Sequence, residues 1–317
     1  MFNRFSVNAI LKGAIGLLAG ALIVFLGAGV WTSWQRVQTA TRTATVADAS
    51  ANLFVALNNL RMDGAFTGFA LRADATGDVG KVALAARAEE MPALRNALDL
   101  LVRLDLPATM LNDLRNGVEQ MKAIDAEADA AKRQPKSERR AGLIGDVDKT
   151  ASALIAQVEK VSAHLAQSIK LDDAYVDQLL ALKGFAWNMR SLGGQISRMV
   201  AESFLKKPKP EAAQTYAILR ARLGEALTAF EQLAAGLPLP ADFLDGVQKI
   251  KTGFFSDEFA RNQLRVLTAN IAGQDPGITQ SELDKNSIAS LNDVAIVAKR
   301  AMTVAQDHAA RIESSAR

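Results

Sequence analysis

The pattern of apolar and polar positions sets one segment near the N-terminus apart from the rest of the chain. Residues 13–31 read GAIGLLAGALIVFLGAGVW, a stretch without a single charged residue. An α-helix rises about 1.5 Å per residue and needs roughly 20 apolar residues to cross the hydrocarbon core of a bilayer. The pattern therefore predicts one transmembrane helix over residues 13–34, preceded by a short basic N-terminus at residues 1–12.

The residues that flank this segment predict its orientation. Arg4 and Lys12 precede it, and Trp31 and Trp34 close its far end. Basic residues favour the cytoplasmic side of a membrane, and indole rings favour the interface. We expect residues 1–12 in the cytoplasm, the anchor in the inner (cytoplasmic) membrane and the bulk of the chain in the periplasm. A cleaved signal peptide is the alternative, but its apolar core is usually only about 7–15 residues long.

Beyond the anchor, apolar residues recur every three or four positions, which is typical of amphipathic helices. Val46, Leu53 and Leu60 follow a heptad spacing, and a long apolar stripe runs from Ile288 to Ile312. No alternating pattern indicates a β-strand. The sequence predicts an all-α fold, and the heptad seam suggests a homodimer formed through the first helix.

A short repeat divides the chain. The segment NLRMDG at residues 59–64 matches NMRSLG at residues 188–193, at an offset of 129 residues. Repeats in register at a long offset indicate duplication, and antiparallel helices joined by short loops bury their apolar stripes as bundles. We therefore expect two four-helix-bundle modules, at residues 35–170 and 171–317.

The number of helices constrains how these modules lie. A chain that leaves the membrane and returns to it needs an even number of reversing helices, yet an unbroken helix over residues 137–204 would leave seven. The sequence thus predicts a break at residues 168–173 or at residues 253–256. If both segments were continuous helix, the modules would be stacked on one long shared helix instead of lying side by side.

Composition and charge narrow the function. The chain has no Cys and two His, and neither His lies in a spacing that builds metal sites inside helical bundles. The net charge of +3 comes from interspersed residues and gives no basic patch for nucleic acid. No phosphate loop or nucleophile motif is present. We expect neither an enzyme nor a protein with a cofactor or a metal.

Two arginines are the candidate ligand-binding residues. Arg61 and Arg190 lie in apolar helical segments beside glycines, and Trp187 and Asn188 precede the second of them. A guanidinium is a planar fork of donors that fits carboxylate-like oxygens, so these residues could clamp an anion. Alternatively, each arginine packs its stem on the bundle and pairs its head with a carboxylate. The clamp requires at least one arginine that faces inward, near a concavity, without such a partner.

Several segments resemble a known family. The N-terminal span that opens into a long helix, LLALKGFAWNMRSLGG and FFSDEFARNQLRVL resemble periplasmic sensor regions of bacterial methyl-accepting chemotaxis proteins, of the helical bimodular or nitrate/nitrite-sensing type. The resemblance covers residue 13 to the end and implies a sensor for a small-molecule ligand. In that group an arginine beside small residues on the first bundle helix can contact an anion, which points to Arg61 and Arg190.

The resemblance also implies parts that this sequence does not show. Such receptors have a second membrane span, a linker domain and a methylated cytoplasmic hairpin, but nothing after Trp34 is long and apolar enough to span again. We expect either the sensor part of a larger receptor or a single-span protein that acts through a partner. The competing function is a membrane-anchored helical scaffold without a small-molecule ligand.

Overall fold

The computed structural model describes residues 7–73, 78–170 and 172–316, and every regular element in these ranges is helical. Residues 1–6 of the predicted cytoplasmic N-terminus, and residues 74–77 between the first two helices, lie outside the described residues. The α-helices are α1 (Val7–Arg72), α2 (Asp78–Leu101), α3 (Ala108–Ala131), α4 (Leu143–Ser168), α5 (Ala174–Leu205), α6 (Glu211–Ala235), α7 (Ala241–Thr252), α8 (Asp257–Ala272) and α9 (Gln280–Ala316). The predicted all-α class is confirmed for the described residues.

Helix α1 contains 66 residues and is about 100 Å long at 1.5 Å per residue. It is long and apolar enough to cross a membrane, and its apolar first part, including Leu17 and Phe25, has no neighbours that bury it. From Ala40 onward the same helix packs into the protein core, where Leu53 and Leu60 of the heptad seam are fully buried. One continuous helix therefore joins the candidate membrane span to the folded part of the chain.

Helices α1 to α4 pack together because each presents an apolar stripe. Helices α2 and α4 lie against α1, and α3 lies against α4. At Gly64 of α1 an added Cβ would lie 3.2 Å from the Cβ of Ala151 in α4. The glycine of the first repeat segment thus permits a close approach of two helices.

The predicted break at residues 168–173 is present. Helix α4 ends at Ser168, whose carbonyl accepts a hydrogen bond from Arg42 Nη2 of α1 at 2.8 Å. Helix α5 begins after Asp173, whose Oδ1 caps it by accepting a 2.8 Å hydrogen bond from the Val176 N–H. The chain therefore reverses at the level of Arg42, near the apolar part of α1, and α5 runs back alongside the first four helices.

The predicted break at residues 253–256 is also present, between α7 and α8, but the chain does not reverse there. Tyr175 at the start of α5 donates a hydrogen bond to the Pro238 carbonyl just before α7, at 2.8 Å. Asn270 near the end of α8 donates to Ser203 near the end of α5, at 2.7 Å. The start of α7 thus lies beside the start of α5, and the end of α8 lies beside the end of α5. Helices α7 and α8 together therefore run in the same direction as α5.

The last helix returns along the first. Thr41 of α1 donates a hydrogen bond to Glu313 at 3.0 Å, and Gln306 donates to Asp48 at 2.9 Å. Helix α9 therefore runs antiparallel to α1 and ends near its apolar part, as the even number of passes requires. One apolar core extends from α1 through α9.

The helix that the sequence pattern indicates from residue 137 begins later in the structure, so that start is wrong. Lys136–Glu138 form a 3-10 turn, and Arg139 is extended before α4 begins at Leu143. Arg139 Nη1 donates to the Leu71 and Ala73 carbonyls at 2.6 and 2.7 Å, at the C-terminal end of α1. Arg139 thus satisfies carbonyls at the end of α1 that have no helical partner, and Gly142, at a φ of 85°, sets the backbone turn directly before α4.

Candidate functional site

The side chain of Trp187 on α5 brings the two candidate arginines together. Arg61 Cζ lies 4.7 Å and Arg190 Cζ lies 5.6 Å from the centroid of the indole ring. Phe54 of α1 meets the same ring edge to face, with centroids 6.0 Å apart. Both guanidinium groups are thus held by cation–π contacts on one aromatic surface between α1 and α5. The repeat places the two arginines at equivalent positions 129 residues apart, and the structure brings them into one cluster.

Glu159 of α4 satisfies one side of this cluster. Trp187 Nε1 donates a hydrogen bond to Glu159 Oε1 at 2.7 Å, and Arg61 Nη2 lies 3.5 Å from the same oxygen. Burial lowers the pKa of Arg61, and the Glu159 carboxylate partly offsets that effect. Arg61 therefore has a carboxylate partner, although its Nε is buried without a hydrogen bond.

Arg190 has no such partner among the described residues. Its side chain is buried, with 6% of the residue exposed, and its Nε makes no hydrogen bond. Burial, together with the charge of Arg61, lowers the pKa of Arg190 to about 10. Glu159 thus pairs with Arg61 alone, and the positive charge of Arg190 has no carboxylate to compensate it at the junction of α1, α4 and α5.

Lys183 extends the positive charge along α5. It lies seven residues before Arg190, on the same face of the helix, and is buried. Its Nζ donates a hydrogen bond to Ser162 Oγ of α4 at 2.5 Å, and burial lowers its pKa to about 8. Sequence reasoning missed Lys183, although its heptad spacing from Arg190 was a signal that could have found it.

The structure does not bring Asn188 into the cluster. Asn188 is exposed, because successive helical residues point about 100° apart and Asn188 is two positions from Arg190. Trp187 does share a face with Arg190, at a spacing of three residues. Of the four candidate residues, Arg61, Trp187 and Arg190 therefore meet, and Asn188 faces away.

Two grooves are described on the surface of the helices. One, with a volume of about 190 Å³, is lined by residues of α1 and α9 that include Phe54 and Met302. Another, of about 310 Å³, lies between α1 and α2 beside Asp48 and Asn96. Neither is lined by the two arginines, so the concavity expected at the clamp does not coincide with these grooves. Phe54, which contacts Trp187, connects the first groove to the cluster.

Comparison with known proteins supports the fold alone. No protein-family model matches the chain, and no curated protein matches it. The solved structure of the NasR transcription antiterminator is similar, with a TM-score of 0.53 and 12% sequence identity over 93% of this chain and 83% of that chain. At this identity the likeness shows a shared helical architecture.

Proposed function

We propose that this chain is the extracytoplasmic ligand-sensing module of a chemoreceptor-type transmembrane signalling protein. The ligand is a small anion or organic acid that binds where α1, α4 and α5 meet, between Arg61 and Arg190. The observation that carries the proposal is the buried guanidinium of Arg190, which lies beside a second guanidinium and has no carboxylate partner among the described residues. The sequence resemblance to periplasmic sensors of chemotaxis receptors favours the same function.

An anion fits this cluster for electrostatic reasons. A buried charge without a partner is costly, and bringing a second like charge close to it raises that cost. An anion with two or more oxygens would accept charge-assisted hydrogen bonds from both arginines and remove both penalties. Glu159 is 41% exposed at its side chain, so it can turn into solvent when a ligand oxygen takes its place on Arg61.

The arrangement of helices supports a signalling role. Arg61 lies on the same unbroken helix as the apolar segment, and α9 runs beside that helix back toward the same end. A ligand that binds one arrangement of α1 and α5 more tightly than another shifts the population toward it. In this proposal two four-helix modules lie side by side in the periplasm, α1 anchors them in the inner membrane, and a longer receptor or a partner carries the signal onward. A homodimer would pair through a face of α1 other than the heptad seam, because Val46, Leu53 and Leu60 are buried in the chain's own core.

Thermal melts of the full chain in lipid nanodiscs test for a ligand. Nitrate, phosphate, acetate and small dicarboxylates are added separately at constant ionic strength, and unfolding is followed by circular dichroism. A ligand at 100 times its Kd stabilises the native state by about 2.7 kcal/mol, which raises the melting temperature of a chain of this size by about 5 °C. If none of the anions stabilises the chain in a saturable way, the scaffold function is favoured.

Lysine variants then test the site. Arg190→Lys keeps the charge but loses the planar fork, so the Kd of the anion found in the screen should rise at least tenfold while the fold is retained. Arg95→Lys, at an exposed arginine of α2, is the matched control and should leave the Kd unchanged. In a Trp31→Phe/Trp34→Phe background, Trp187 is the sole tryptophan of the sequence, and its fluorescence should report the same Kd. Unchanged affinity in both Arg190→Lys and Arg61→Lys contradicts the proposed site.

A further inference from the structure

Three carboxylates meet inside the first four helices, away from the arginine cluster. Asp63 of α1, Glu90 of α2 and Asp125 of α3 are buried, and one oxygen of each lies within 4.8 Å of the others. Asp63 follows Arg61 by two residues, so the two side chains leave α1 on nearly opposite faces. The carboxylates therefore form a separate site.

Two basic residues already contact part of this group. Arg87 Nη2 lies 2.9 Å from an oxygen of Asp63 and 2.9 Å from an oxygen of Asp125. Arg87 Nη1 donates to Asp129 at 2.8 Å, and Lys132 donates to the other oxygen of Asp129 at 2.8 Å. Arg87 thus contacts Asp63, Asp125 and the neighbouring Asp129, and Lys132 contacts Asp129.

These contacts leave Glu90 without a partner among the described residues, and they leave both oxygens of Asp125 without a hydrogen bond, because its contact with Arg87 is an ion pair alone. It is fully buried, and neither of its carboxylate oxygens has a hydrogen-bond partner among the described residues. One of its carboxylate oxygens lies within 4.8 Å of an oxygen of Asp63 and of an oxygen of Asp125. Without a cation, burial and the charges of Asp63 and Asp125 raise the pKa of Glu90 to about 9. If Asp63, Glu90, Asp125 and Asp129 were all ionised, they would exceed Arg87 and Lys132 by two negative charges, and a cation bound among them would compensate that difference.

We propose that Asp63, Glu90 and Asp125 bind one divalent cation of the oxygen-preferring class of Ca²⁺, Mg²⁺ and Mn²⁺. The charge of such an ion equals the deficit. Carboxylate oxygens are the preferred ligands of these ions at about 2.0–2.6 Å, so oxygens on opposite sides of the ion lie up to about 5 Å apart, which fits the observed separation. Because the three ligands come from three helices, the ion joins α1, α2 and α3.

Titration with manganese tests this site in the full chain. The protein is dialysed against EDTA, exchanged into buffer without chelator, and held in nanodiscs of zwitterionic lipid, and free Mn²⁺ is followed by electron paramagnetic resonance during addition of MnCl₂. One Mn²⁺ should bind per chain, CaCl₂ or MgCl₂ should displace it, and the melting temperature should rise with the bound fraction. Glu90→Gln should weaken binding at least tenfold, whereas Asp113→Asn, at an exposed carboxylate of α3, should not change it.

Each other outcome overturns the proposal. If the wild-type chain binds no Mn²⁺ up to about 1 mM, the weak end of the range for extracellular calcium modules, Glu90 is buried as a neutral acid and no ion site exists. If Glu90→Gln binds Mn²⁺ as tightly as the wild type, the ion lies elsewhere. Should Glu90→Gln lose its helical signal, Asp125→Asn is titrated instead, and unchanged affinity in that variant has the same meaning. These results do not depend on the anion at Arg190.

Discussion

Replacing Lys183 by methionine removes a charge that the fold buries at a cost. Lys183 is fully enclosed, and its one described hydrogen bond goes to Ser162. Burial lowers its pKa from 10.5 to about 8, and each unit corresponds to about 1.4 kcal/mol, so the charge costs the native state about 3 kcal/mol below pH 8. The variant also loses the hydrogen bond to Ser162, which lowers its free energy of unfolding by about 1 kcal/mol. We expect Lys183→Met to be about 2 kcal/mol more stable than the wild type at pH 7.

The sign of the pH dependence follows from the lowered pKa. Between about pH 8 and pH 10.5 the unfolded chain keeps a proton on Lys183 that the native chain has released. Stability rises with pH wherever the unfolded state binds more protons, so Lys183 makes the wild type gain stability over this window. The advantage of Lys183→Met should therefore shrink steadily from pH 8 to pH 10.5.

The assay is the melting temperature of both proteins in nanodiscs at pH 7, 8, 9 and 10. Comparing the two proteins cancels the other groups that titrate in this range, including Tyr175 and Tyr216, whose pKa values burial raises. Lys160→Met, at an exposed lysine of α4, is the control and should show no such dependence. A difference between wild type and Lys183→Met that stays constant across these pH values refutes the reasoning.

Two further predictions concern packing and charge. In Gly193→Ala the new Cβ would collide with Phe254, so we expect a loss of about 1–3 kcal/mol in chemical denaturation, whereas Gly194→Ala, which has open space, should be neutral or slightly stabilising. Arg87→Met leaves buried carboxylates without their basic partner and should lower the free energy of unfolding by about 3–5 kcal/mol in the same measurement. Arg103→Met, at an exposed position, is the control and should stay within about 0.5 kcal/mol of the wild type.

The helices and their breaks were predictable because apolar periodicity is a local property of the chain. The heptad spacing identified Leu53 and Leu60 as buried positions. The need for an even number of passes predicted a break at residues 168–173 or at residues 253–256, and it is at 168–173 that the chain reverses. The start of α4 was misplaced although Gly142, which has a φ of 85° directly before this helix, is a local signal for it. The contacts of Arg139 with carbonyls of α1 more than 60 residues away could not be predicted from a local pattern.

The candidate site was predictable only in part. Arg61, Trp187 and Arg190 stood out as polar or aromatic residues in apolar segments, but their meeting on one ring depends on how α1 lies against α5. Glu90 also occupies an inward position, between the buried residues Ala86 and Leu94, and Lys183 occupies another. Lys183 was missed because the periodicity of apolar residues does not reveal a charged residue in the same register. The adjacent carboxylates Glu89 and Glu90 are typical of a helix cap or a solvated helix face, and that interpretation is wrong for Glu90, which is fully buried.

The continuity of α1 has a mechanical consequence. About 30 residues separate Trp31 from Arg61, which makes a rod of about 45 Å without a loop in it. A hinge would absorb a small displacement at one end, but a hydrogen-bonded helix only curves gently along its length. An axial shift or a rotation of α1 at Arg61 therefore reaches Trp31 with nearly its full size. A sideways movement of Arg61 about a pivot near Arg42 reaches Trp31 reduced, in proportion to the lengths of α1 on the two sides of the pivot.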